Sequence, residues 1–310
     1  METFELHESP IESKSIACKS WLYNSHSFLK TNNDLPQKHL YLFNKAKDQY
    51  EAHLVVSVEG EAAMSPVKAP FGGIELNENI SSSALKWFLN SVENTLRSED
   101  VEELRIHQPP ENYQGQDLVN ELFSESGYDL IQERVYQGID ITDTPLSEQM
   151  ADMQKRRIKK CQKAGFIFKK YAKSELSGAF KQIDRWRNAA NKGLSMTWAD
   201  LHNSSKRNPK AYMAFGVLNG ELMIAGSIVV DVGDGVLYNF FPASYDAYNS
   251  YSPMVMLVDG IYDWGRFNGY RHLDLGTSYV HKNVNTSLRL FKERLGAKIY
   301  HSWSWRKKLN

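Results

Sequence analysis

One order of elements runs twice through this chain, and it leaves few folds open. From residue 38 the pattern is of strands, "KHLYLF", "EAHLVVSV" and "FGGIEL", punctuated by Gly60 and Gly72–Gly73. A helix follows over "NISSSALKWFLNSVENTLRS". Asn79 or Ser81 to Ser83 supply its N-cap, and Leu85, Phe88, Leu89, Val92 and Leu96 recur at the helical period. Next come a strand at "VEELRIHQ", a helix around 114–126 ending near Gly127, and the strand "YDLIQERVYQGIDI". After "DTPLS" at 143–147 the order starts again, with a helix over 147–165, the strand "FIFKKYAK", one helix over 174–191 and then a loop. Three strands run from 211 to 242, and a helix over 252–269 has Pro253 in its first turn. The strand "YRHLDLG", a helix at 285–295 and the strand "AKIYHSWSWRKK" close the chain. Alternating strands and helices of this kind imply an α/β class built on a mixed sheet. The seam divides the chain into domains of residues 1–145 and 146–310, although a single large mixed sheet satisfies the same element order.

The composition supports a packed core and excludes several classes. Of 310 residues, 42% are hydrophobic and 12% aromatic, which rules out global disorder. The 37 lysines and arginines match 37 aspartates and glutamates, so no whole-protein field draws in nucleic acid or an anionic membrane. Cys18 and Cys161 form neither a disulfide framework nor a metal-ligand spacing, and the nine histidines show no such spacing either, so no metal is expected. The first twenty residues lack the apolar run of a signal peptide, and no window reaches a membrane-spanning length. The expectation is a cytoplasmic protein with no membrane insertion.

Four stretches bear on chemistry. "RHLDLG" puts Asp274 and Gly276 at the carboxyl end of a strand, where open α/β sheets gather ligands. The polar run from Thr277 to Asn285, with His281 inside it, feeds a helix N-terminus whose N–H groups favour an anion; an ordinary capped loop reads the same way. The strand-to-helix turn from Tyr245 through Tyr251 and Ser252 has the place of a phosphate cradle but neither glycine nor arginine. The run "KRRIKKCQKAGFIFKKYAK" holds nine lysines or arginines in residues 155–173, with Arg156, Lys159, Lys160 and Lys163 at helical spacing. It reads either as a solvated face or as a docking stripe for phosphates. Trp186 and Trp198 read first as core anchors. No Gly-x-Ser-x-Gly elbow is present, and "GGIELNE" has too few glycines for a dinucleotide fingerprint.

"IYDWGRFNGYRHLDLGTSYVHKNVNTSLRLFKERLGAKIY" resembles the end of the FemAB-like branch of the GNAT acyltransferases, with its strand ending in Asp-x-Gly and its Phe-Lys-x-x-x-Gly segment. "MQKRRIKKCQKAGFIFKK" resembles that branch's basic helix, and "APFGGIEL" more loosely a loop of its first domain. The resemblance implies two tandem GNAT-like domains and transfer of an acyl or aminoacyl group from acyl-CoA or aminoacyl-tRNA to an amine. It implies catalytic roles for Lys292, Tyr238, Asn239, Asp274 and His281. Arg157, Lys160, Trp186, Tyr251, Ser252, Thr277 and Asn285 would contact substrate or phosphate. The alternative is a GNAT-fold binding or scaffold protein without a donor site, which the missing glycine-rich loop favours. Some cell-wall members carry a helical hairpin in the second domain; one helix in 174–210 leaves no room for it.

Overall fold

A computed structural model describes residues 3–32, 35–280 and 283–309. Its contacts fall into two compact units: Met1–Val135 with Tyr300–Asn310, and Tyr136–Ile299.

The first unit contains β1 (Phe4–His7), β2 (Ser15–Ile16), α1 (His26–Asn32), β3 (Gln37–Asn44), β4 (Gln49–Glu59), β5 (Ala62–Ser65) and β6 (Glu75–Leu76). After these come α2 (Ser82–Arg97), β7 (Glu103–His107), α3 (Gln116–Glu125) and the start of β8 (Asp129–Asp140). Strands β1, β3, β4 and β5 pair antiparallel in that order. Helix α2 then crosses over to β7, which lies parallel to β5. The helix starts where Ser81 Oγ accepts the Ala84 N–H at 3.2 Å. Its periodic stripe Leu85, Phe88, Leu89, Val92 and Leu96 is fully buried, and each such side chain contributes about 1.5–3 kcal/mol of burial.

The second unit contains α4 (Asp152–Lys163), β9 (Ile167–Lys170), α5 (Leu176–Ala189), α6 (Trp198–Arg207), β10 (Tyr212–Asn219), β11 (Leu222–Gly233) and β12 (Val236–Asn239). It continues through β13 (Ala243–Ser244), α7 (Pro253–Phe267), β14 (His272–Thr277), β15 (Tyr279–Val280), β16 (Asn283–Val284), α8 (Thr286–Arg294) and the start of β17 (Lys298–Lys308). The arrangement repeats that of the first unit. Strands β9, β10, β11 and β12 are antiparallel neighbours, and α7 crosses over to β14, parallel to β12. Val255, Leu257, Val258, Ile261 and Tyr262 of α7 are buried in the core of this unit.

Each unit closes on a strand from the other half of the sequence. Ser304–Lys308 of β17 pair antiparallel with β7 in the first unit, where Trp305 and Leu309 join the core. Tyr136–Asp140 of β8 pair antiparallel with β14 in the second. The division therefore falls ahead of the seam read at 143–147, and the last eleven residues count with the first unit.

Two local expectations are corrected. Residues 174–210 hold two helices, not one, because Thr197 and Asp200 form a capping box that starts α6: Thr197 Oγ1 accepts the Asp200 N–H at 3.2 Å and Asp200 Oδ2 accepts the Thr197 N–H at 2.9 Å. The argument that this segment leaves no room for a helical pair loses its premise. The third strand of the 211–242 run is also interrupted after Asn239, where the Phe240 and Phe241 N–H groups both donate to the Ile228 carbonyl and Pro242 has no N–H to offer.

Candidate active site

Val236–Tyr238 of β12 run parallel to His272–Asp274 of β14, with Tyr238 opposite Asp274. The paired register ends there. Beyond it, β12 stays with β11 through Asn239 and β14 stays with β8 through Thr277. The two strands thus part at their carboxyl ends, the position at which open α/β sheets bind ligands.

A bulge shapes this point. Asp274 faces Gly138 and Thr277 faces Tyr136, so Leu275 and Gly276 together stand opposite Gln137. Gly276 has φ +69°, in the left-handed region, and its N–H donates to Asp274 Oδ1 at 2.6 Å. The Asp-x-Gly pattern is thereby explained: the aspartate supplies the acceptor and the glycine the backbone conformation. Lys292 reaches back from α8, and its ammonium donates to the carbonyls of Gly276 at 2.8 Å and Thr277 at 2.7 Å. The Ser278 hydroxyl donates to Gln137 Oε1 at 2.6 Å, while Gln137 Nε2 donates to the Arg289 carbonyl at 3.2 Å. Bulge, loop and helix are tied into one piece.

The charges follow from this packing. Lys292 is only 5% exposed. Burial pushes its ammonium down to about 8, and the neighbouring Asp274 carboxylate opposes that shift. Burial pushes the Tyr238 phenol well up, with Asp274 and Tyr136 adding to the effect and Arg187 opposing it. Tyr238 therefore keeps its proton across the physiological range and is an O–H donor. Arg187, on α5, is itself lowered by burial. Its Nη2 donates to the Gly193 carbonyl at 3.2 Å, and its buried Nε–H has no hydrogen-bond partner among the described residues. A phenol held protonated beside a guanidinium with an unused donor suits a developing oxyanion.

The structure brings Lys292, Asp274, Tyr238 and Thr277 together. Asn239 is buried on the same strand as Tyr238, and its Oδ1 accepts the Ser227 hydroxyl at 2.6 Å. Asn285 caps α8, with Oδ1 accepting the Leu288 N–H at 3.0 Å. His281 lies outside the described residues. The phosphate candidates occupy a second locus, at α4 and the start of α7. Lys160 donates to the Ser250 carbonyl at 2.7 Å and sits 4.8 Å from the centre of the Tyr251 ring. Ser252 leads into α7 at φ +56°, and the Tyr251 carbonyl accepts the Cys161 thiol. Arg157 donates to Gln154 Oε1 at 2.9 Å. Trp186 is buried and stacks on Tyr245 with ring centres 6.3 Å apart. Sequence reasoning missed Tyr136 and Arg187. Tyr136 is placed only by the strand register, and "DRWRN" marks nothing that distinguishes Arg187 from a surface arginine.

No protein-family model matches this chain, and no curated protein matches it in sequence. Solved structures do. FemX superposes with a TM-score of 0.70 at 12% identity, covering 92% of this chain and 90% of FemX. The chain has the fold of FemX. A mixed α/β fold of this kind is what the resemblance in sequence implied. L-PGS from Bacillus licheniformis matches with a TM-score of 0.55 at 14% identity over 91% of this chain and 90% of its own. A conserved protein of unknown function from Bacteroides thetaiotaomicron matches with a TM-score of 0.60 at 10% identity over 96% and 94%. Among the described residues, no helix is long and apolar enough to cross a membrane, and no group of three or more histidine, cysteine or acidic side chains is placed to hold a metal ion.

Proposed function

We propose that this chain is an acyltransferase that moves an acyl or aminoacyl group from a thioester or an aminoacyl-tRNA directly to an amine, without a covalent enzyme intermediate. The observation that carries the reading is the buried Tyr238 phenol beside the unpartnered Nε–H of Arg187, where β12 and β14 part. The amine attacks the acyl carbonyl, a C–N bond forms, and the C–O or C–S bond to the donor breaks. Tyr238 and Arg187 donate to the oxyanion, the amine's proton passes to the Asp274 carboxylate, and a proton returns to the departing hydroxyl or thiol. Lys292 also fixes the bulge that carries Thr277 and Ser278. Aminoacyl-tRNA is the donor favoured first, because the turn before α7 has no glycine and Lys160 already closes on its Ser250 carbonyl. The basic face of α4 then meets the donor's phosphates. The FemX and L-PGS likeness in fold is in keeping with this.

Thermal shift against aminoacyl-tRNA, acetyl-CoA and longer acyl-CoAs, followed by a transfer assay with the stabilising donor, tests the proposal. Tyr238→Phe is expected to lower kcat by about 10²–10³-fold, as for loss of one oxyanion donor. Full transfer by that variant refutes the assignment. The second reading is a binding or scaffold protein, favoured by the capture of the Lys292 ammonium by two backbone carbonyls. A chain stabilised by none of the donors supports it.

A further inference from the structure

The first unit carries a cavity that acyl transfer does not call on. It measures about 190 Å³. Ser20 and His26 stand at its exposed mouth, and Cys18, Tyr41, His53 and Glu75 form its buried floor. Glu75 is 1% exposed, and its carboxylate accepts the backbone N–H of Trp21 and, at 2.6 Å, His53 Nδ1. His53 Nε2 in turn lies 3.0 Å from His39 Nδ1. This chain has a direction. A carboxylate accepts, so His53 Nδ1 donates to Glu75 and leaves its Nε2 to meet His39 Nδ1. Burial, with His53 and His26 adding to it, pushes His39 down to about 3, so that ring stays uncharged.

Glu75 thus places a carboxyl group at the floor of a cavity with no lysine or arginine in its lining. Other lining groups register that neighbour. After burial, Glu75 is the largest cause lifting both the Cys18 thiol and the Tyr41 phenol to about 12. A carboxylate offers about four lone-pair sites, of which the Trp21 and His53 bonds use two. An anion entering here meets a carboxyl group and no cationic side chain, whereas a primary ammonium finds a counter-ion and acceptors.

We propose that this cavity is a binding site for the protonated amino group of a small molecule, with Glu75 as counter-ion and the His53–His39 chain holding Glu75 in place. The inference concerns the first unit alone and does not rest on acyl transfer in the second.

Cys18 serves as a reporter on the cavity floor. The chain has two cysteines, so Cys161→Ser leaves Cys18 as the single thiol. Its labelling rates are measured at pH ~8 with two methanethiosulfonates, one bearing an ethylammonium and the other an ethylsulfonate, each normalised to free cysteine. The normalised ratio of cation to anion is expected to exceed unity by about tenfold or more and to fall toward unity in Glu75→Gln. n-Butylammonium should slow labelling by the uncharged methyl reagent, and n-butanol should not. Because Glu75→Gln can disturb folding, Ser20→Trp provides a second variant that fills the mouth with Glu75 intact, and it should slow labelling by all three reagents. A ratio near one in the parent, absent labelling, equal protection by butanol, or labelling unaffected by Ser20→Trp overturns the proposal.

Discussion

Replacing Lys292 by methionine separates what this side chain does for the fold from what it does for charge. Its ammonium gives hydrogen bonds of 2.8 and 2.7 Å to two carbonyls of the β14 bulge. Methionine keeps the reach of the chain and loses both bonds, and two buried carbonyls without donors cost about 1–3 kcal/mol each. The buried charge acts in the other direction. Lys292 is shifted from 10.5 to about 8, and at about 1.4 kcal/mol per pKa unit the charged form carries a penalty of about 3 kcal/mol at neutral pH, which methionine does not. The two effects offset in large part, so Lys292→Met is expected to remain folded within about 3 kcal/mol of the parent. Titration distinguishes them. The folded lysine gives up its proton near 8 and the unfolded one near 10.5, so between those values the unfolded state binds more protons and stability rises with pH. The penalty is fully present below the folded value and disappears as the pH climbs through the unfolded one. Urea unfolding of parent and variant, followed by tryptophan fluorescence, gives the stability difference at each pH, and taking that difference cancels the titrations of Cys18 and the tyrosines. It should change in favour of the parent by about 3 kcal/mol between pH ~7.5 and ~10.5. A flat difference refutes the weakened ammonium, and with it the electrostatic part of the proposed site.

Two further changes address the frame around this lysine. Gly276→Ala places a Cβ 3.2 Å from the Tyr238 ring at a backbone φ of +69°, which should cost about 1–3 kcal/mol by urea unfolding; an unchanged midpoint counts against the bulge as described. Deleting residues 300–310 removes Trp305 and Leu309 from the first unit's core and the partner strand of β7. Hydrogen exchange should then show lost protection in α2 and β7 while β10 and β11 keep theirs. Retained protection in the first unit rules out the exchange of closing strands.

The sequence displayed the elements more clearly than their partners. The stripe in α2 was legible because burial on one face forces the helical period, and all five of its side chains are indeed buried. Asp274 and Gly276 were legible because a bulge needs a left-handed residue and a nearby acceptor, and Asp-x-Gly states both; Lys292 came only from the resemblance of its Phe-Lys segment. The closing strands were not, since β8 and β17 have the same alternation whichever neighbour they join; pairing is a property of two distant segments. Helix α6 was announced by Thr197 and Asp200 but lacks a long apolar stripe, with only Leu201, Ser204 and Ser205 buried. Arg187 had no signal at all, because an arginine on a helix becomes informative only when its neighbours bury it.

Lys292 carries the tension between the two readings of this protein. A bulge needs donors for its carbonyls and does not need a cation. A neutral amide could supply two N–H groups without the burial penalty that pulls this ammonium down to about 8. A purely structural pin would therefore be the costlier solution, and on the proposed function the charge serves the chemistry at the parting of β12 and β14. Buried groups whose proton affinity is moved toward neutrality collect at sites of chemistry for this reason. The Tyr238 phenol and the Arg187 donor beside it point the same way, since neither contributes to holding the bulge. On the proposed function, fold and chemistry make opposite demands on one side chain, and Lys292→Gln, which removes the charge and keeps N–H donors on a side chain one bond shorter, weighs them. Retained stability with lost transfer assigns the charge to catalysis, and retained transfer assigns it to the fold.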